Sequence, residues 1–67
     1  MTKIEKMLKL KGMKQADLIR RIERDTGEKI GRDRMSRICR GQIKNYTMKT
    51  ADIIAKSLEC SINDILE

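Results

Sequence analysis

The sequence predicts an all-α fold, on three observations. It holds no Pro and only four Gly in 67 residues, too few for the many turns of a β-sandwich. Apolar residues recur at the i, i+3, i+4 spacing of a single helix face in several short segments. Between those segments stand capping pairs and glycines of the kind that open and close helices.

Five segments can be read in order. The first opens at Thr2, with Glu5 three residues on in capping-box spacing. Ile4, Met7 and Leu8 form its stripe, and Gly12 stops it. The second runs from about Gln15 to Arg24 with Leu18, Ile19 and Ile22 inward, and Asp25, Thr26 and Gly27 read as its terminating turn. The third runs from about Arg32 to Arg40, with Met35, Ile38 and Cys39 inward and Gly41 at its end. The fourth runs from Thr47 or Met48 to Leu58 and turns Ala51, Ile54, Ala55 and Leu58 inward. The fifth, barely two turns, opens on the Ser61/Asp64 pair and carries Ile62, Ile65 and Leu66. Isolated helices under about 12–15 residues are marginal in water. The five must therefore pack on one another as a compact five-helix domain, and no repeat or linker divides residues 1–67.

Composition narrows the function classes. The net charge of +6 on so small a chain favours a polyanionic partner. The absence of His removes the commonest general base and metal ligand. The two cysteines, Cys39 and Cys60, are far apart and lack CxxC spacing, so neither a metal nor a cofactor is expected. With no clustered Cys or Asp/Glu site either, no catalytic constellation is evident and no enzyme is expected. No apolar run approaches the roughly 20 residues of a membrane span. Lys3, Lys6, Lys9 and Lys11 interrupt any signal-peptide core, and a cytoplasmic chain with reduced thiols is expected.

The charge is uneven. Residues 29–44 carry Lys29, Arg32, Arg34, Arg37, Arg40 and Lys44 against Asp33 alone, whereas residues 45–67 are net acidic. With Met35, Ile38 and Cys39 inward, the third helix turns Arg32, Asp33, Ser36, Arg37 and Arg40 elsewhere. The DNA major groove is about 12 Å wide and admits one helix. Arg can meet guanine O6 and N7 with two hydrogen bonds, Asp can accept from cytosine N4, and Ser can contact several bases. A solvated charged face would show the same pattern.

The order of segments adds a resemblance. Gly12-Met13-Lys14-Gln15-Ala16-Asp17-Leu18 resembles the start of the second helix of the phage Cro/CI-type helix-turn-helix regulators. Arg34-Met35-Ser36-Arg37-Ile38-Cys39-Arg40-Gly41 is similar to that family's recognition helix with its closing glycine. Ile54 to Leu66 is similar to its last two helices. The resemblance covers nearly the whole chain. It implies a helix-turn-helix domain of the phage repressor type, a DNA-binding transcriptional regulator of bacterial, phage or mobile-element origin, with double-stranded DNA as partner. By position, Gln15 would hold a backbone phosphate, and Arg32, Asp33, Ser36 and Arg37 would face base edges or flanking phosphates. Arg40 shares the recognition helix, and Gln42, Lys44 and Asn45 would touch the backbone. Three features depart from the family's pattern. The link between the second and third helices is longer than the usual 3–4-residue turn, Ile19 replaces a small residue, and Lys14 replaces the Ser/Thr cap.

Other residues admit two readings. Cys39 is a buried small hydrophobe or, beside Arg37 and Arg40, a redox switch. Tyr46 donates to a phosphate or covers the core edge. Arg20, Arg21 and Arg24 face phosphates or pair with Asp17, Glu23 and Asp25. The five Met read as core filler. Ile62, Ile65 and Leu66 either finish the monomer core or pair two copies as a homodimer, since one short recognition helix meets few base pairs. For function, a sequence-specific regulator, in particular a repressor, stands beside a protein–protein module of antitoxin or anti-repressor type on the same fold.

Overall fold

A computed structural model describes residues 1–66. Four α-helices form: α1 (Lys3–Leu10), α2 (Gln15–Thr26), α3 (Arg32–Cys39) and α4 (Met48–Ser57), followed by a 3₁₀ turn at Ile62–Asp64. Among the described residues there is no strand.

Thr2 sets where α1 begins. Its hydroxyl accepts the Glu5 N–H at 3.1 Å, and the Glu5 carboxylate accepts the Thr2 N–H at 3.3 Å, closing the expected capping box. The same hydroxyl donates to the carbonyl of Cys39 at 2.5 Å. One side chain thus ties the start of α1 to the end of α3. Gly41 makes that junction possible. It sits at φ +80°, and a Cβ there would lie 3.2 Å from Thr2 Cγ2.

α2 starts without a side-chain cap at Lys14, as its residue type implies. The Asp17 carboxylate reaches back instead and accepts the Lys14 N–H at 3.0 Å. That backbone hydrogen bond, with Arg20 alongside, holds the Asp17 carboxyl below the usual carboxylate range. α2 runs two residues beyond the expected end at Arg24. The Thr26 hydroxyl bonds the Ile22 carbonyl at 2.7 Å, and only Gly27, at φ +76°, turns the chain out. The link to α3 is therefore five residues, 27–31, still longer than a standard turn.

α3 ends at Cys39, with Arg40 as its cap rather than its last residue. α4 opens on Thr47, whose hydroxyl accepts the Thr50 N–H at 3.2 Å. It closes on Leu58 and then on Glu59, which takes φ +55° where no glycine marks the turn.

The core joins Ile4 and Leu8, Leu18 and Ile22, Met35, Ile38 and Cys39, and Ala51, Ile54, Ala55 and Leu58, with Ile65 from the terminal turn. α2 lies at the centre, against both α3 and α4, and the 3₁₀ turn bridges α4 and α1.

The C-terminal expectation needs two corrections. The fifth helix is a single 3₁₀ turn, because the Ser61/Asp64 pair closes at once and the Ile65 N–H donates to Ile62 at i+3 spacing. Ile65 is 0% exposed, so it completes the monomer core and has no surface to offer a second copy. Ile62 and Leu66 are half-buried against the same core. The homodimer patch expected at Ile62, Ile65 and Leu66 is thus largely consumed by the fold.

Thr2→Ala removes the cap and the link to Cys39 together, and is expected to lower unfolding free energy by about 1–2 kcal/mol in urea titration. Asp17 has a folded-state pKa below its unfolded value. Its contribution is present above the ordinary carboxylate pKa and is lost as pH falls through the folded one. Asp17→Ala should therefore flatten the fall in melting temperature between about pH 5 and pH 2.

Candidate nucleic-acid interface

The eight residues of α3 divide cleanly. Met35, Ile38 and Cys39 are buried, Arg32, Asp33, Arg34 and Arg37 are exposed and Ser36 is half-buried, and the capping residue Arg40 is exposed too. The three inward side chains fix the rotation of the helix, and that rotation sends its charge outward. Arg37 Nη2 lies 3.3 Å from Asp33 Oδ2, one turn away on the outer face. Arg32, Arg34 and Arg40 pair with no acid among the described residues. Arg34 was not among the expected site residues, although helical spacing alone sets it off the buried stripe.

Beyond α3 the Gln42 N–H donates back to the Arg37 carbonyl at 2.9 Å, which folds the next residues against the helix end. Gln42, Lys44 and Asn45 are exposed on this segment. Gln15, the first residue of α2, is half-buried. Two shallow clefts connect these places. One is lined by Met1, Thr2, Glu5, Arg40, Gly41 and Lys44, and the other by Met1, Glu5, Leu8, Lys9, Met13, Lys14 and Gln15. Met1 and Glu5 belong to both. A band rich in cations thus runs from the start of α2, past one side of α1, to the end of α3. Lys9 and Lys14 join Gln15 through this tertiary arrangement. No spacing in the sequence relates them to Arg40 or Lys44.

The arginines of α2 are engaged elsewhere. Arg20 pairs with Asp17 at 2.5 Å and Arg24 with Asp25 at 2.9 Å, while Arg21 donates to the Ser57 carbonyl at 3.3 Å. The Arg24 hydrogen bond holds the Asp25 carboxyl low and raises the Arg24 guanidinium. The paired reading holds for Arg20 and Arg24, whereas Arg21 pairs with no acid among the described residues and Glu23 faces Lys29, at 3.9 Å. The 27–31 link is likewise tied down. Glu28 meets Lys49 of α4 at 3.4 Å, and Ile30 packs against the core.

A small all-helical domain whose third helix is apolar inside and cationic outside, with a cationic band leading to its C-terminal end, matches one family model. Residues 3–67 fit the Cro/C1-type HTH DNA-binding domain. The chain belongs to this family. Searches of curated proteins and of solved structures gave no match.

Ile19, in place of a small residue, is half-buried and packs against the core. Tyr46 packs against the core too, beside Ile43 and Leu66 in a cleft of about 320 Å³, so its ring covers the core edge. No helix of the described residues is long and apolar enough to cross a membrane.

Cys39 is wholly buried, and burial, reinforced by Glu5, pushes its thiol up to about 11. Arg37 and Arg40 do not favour a thiolate there, because both side chains point out to solvent. The redox-switch reading of Cys39 is overturned by this placement. A thiol-reactive disulfide reagent at neutral pH should modify Cys60 first in the native domain, with Cys39 following only at the rate of unfolding. Equal rates at the two sites would contradict the buried placement.

Proposed function

We propose that residues 1–67 act as one intracellular unit, a sequence-specific regulator of transcription that binds double-stranded DNA and works as a repressor. The observation that carries this reading is the division of α3. Three buried side chains lock the helix, and Arg32, Asp33, Ser36 and Arg37 project from it in the most cationic stretch of the chain. In this reading α3 enters the major groove, where those four side chains meet base edges or flanking phosphates. Gln15, Arg40, Gln42, Lys44 and Asn45 hold the backbone on either side, joined by Lys9 and Lys14 along the cationic band. Contacts of this second kind set register and affinity but carry no sequence information. One such helix spans few base pairs, so two copies on half-sites about 34–36 Å apart would supply the selectivity a genome demands.

The alternative is a protein–protein module of antitoxin or anti-repressor type. Salt separates the two. Phosphate binding weakens steeply as salt rises, whereas a mainly apolar protein contact does not.

Selection from a random duplex pool should enrich a shared, two-fold-symmetric sequence, and no enrichment would favour the alternative. On the selected site Arg32→Ala and Arg37→Ala should each cost about 1–3 kcal/mol and relax preference at one base position. Lys44→Ala should weaken all duplexes alike and reduce the salt slope by about one unit. If Arg32→Ala and Arg37→Ala behave as Lys44→Ala does, α3 does not read bases.

A further inference from the structure

Asp33 is the only acid in residues 29–44, facing six cations, and it occupies the outward side of α3. Its contributions to the fold are small ones. The α3 cap is Gly31, with no side-chain cap hydrogen bond. Its one ion pair among the described residues, with Arg37, is 83% exposed on the Asp33 side and 57% on the Arg37 side. Pairs so exposed add little to stability. On a surface meant for phosphates, a carboxylate is also a direct electrostatic cost. An acid placed there against the charge of the partner calls for a use in recognition.

We infer that Asp33 is a specificity-determining residue that positions Arg37 for guanine and penalises every duplex lacking the matching bases. The inference rests on the DNA-binding reading above. The guanidinium has five N–H donors in a rigid fork. Nη2 lies 3.3 Å from Asp33 Oδ2 as an ion pair, which leaves the fork free to meet guanine O6 and N7 together. The attraction of Asp33 biases the fork toward its own side of the helix, which favours a two-pronged contact there over a loose one to phosphate. The second carboxylate oxygen, Oδ1, stays free to accept a base amino group, and cytosine N4 is the major-groove donor that Asp suits. The target is therefore a duplex site with guanine beneath Arg37 and a cytosine amino group within reach of Asp33. Where neither is present, Asp33 faces the phosphate field without a donor and loosens the complex.

A carboxylate in the first turn of a helix also complements the helix dipole. That role would move the melting temperature and leave base preference untouched.

The test is equilibrium binding of wild type, Asp33→Asn and Arg37→Ala, with the double variant. The probes are the duplex selected by wild type, the same duplex with the guanine pair exchanged, and a random-sequence duplex, each at two salt concentrations. Asp33→Asn should bind the random duplex severalfold tighter than wild type does, with a steeper salt dependence. Its preference for guanine over the exchanged pair should fall by about tenfold, the scale of one two-pronged base contact. Adding Asp33→Asn to Arg37→Ala should remove no further guanine preference, because the two act as one unit. The inference is overturned if Asp33→Asn keeps the guanine preference and gains nothing on random DNA, whatever its melting temperature. A wild type that prefers no sequence at all overturns it together with the reading on which it rests. A wild type that selects a site without guanine beneath Arg37 overturns the inference alone.

Discussion

Everything on the outer surface of α3 depends on the burial of three side chains beneath it. An eight-residue helix has no persistence of its own in water. Met35, Ile38 and Cys39 hold it to the core, against α2. Thr2 then holds its far end, through the carbonyl of Cys39. With both rotation and end fixed, a change at Asp33 or Arg37 alters what the helix meets and leaves its place in the fold intact. Changes at Cys39 or Thr2 act the other way. They reach the interface by displacing the helix that carries it.

Much of this arrangement is written locally. The Thr2/Glu5 capping box and the left-handed turns at Gly12, Gly27 and Gly41 are each made within a few residues, so spacing places most of the helix ends. The division of α3 into a buried stripe and a charged face follows from the same spacing. Where reading by segment falls short, the deciding partner is distant in sequence or the local signal is unusual. The end of α2 moves to Thr26 because a threonine bonds back to Ile22, a use of that residue which competes with its reading as a turn former. Glu59 takes a left-handed conformation that composition does not announce. Ile65 looks like surplus apolar surface on a short helix, yet the chain turns it inward because α1 and α4 leave room for it.

The interface shows the same boundary. The outward residues of α3 and the segment behind Gly41 are legible, since they follow from one helix and its stop. The cationic band is legible only in part. Gln15 stands out by its place at the head of α2, but Lys9 and Lys14 acquire meaning only when α1 comes to lie between α2 and the end of α3. The arginines of α2 illustrate the reverse case. They raise the cationic count of the sequence, yet Asp17, Asp25 and the Ser57 carbonyl occupy them. Net charge therefore overstates what this domain presents to a polyanion, and the distribution of unpaired cations describes it better.

The scarcity of aromatic residues gives Tyr46 a second significance. With no Trp and no Phe in the chain, its ring is the one chromophore whose ultraviolet emission dominates the spectrum. It stands half-buried beside Ile43, Lys44 and Leu66, where the chain passes from the end of α3 toward α4. The domain thus carries a built-in optical reporter, unlabelled and unique, at the junction between the cationic α3 and the net acidic residues 45–67. Light absorbed anywhere in this protein by an aromatic ring is absorbed there, and the emitted signal reads the packing of that one junction.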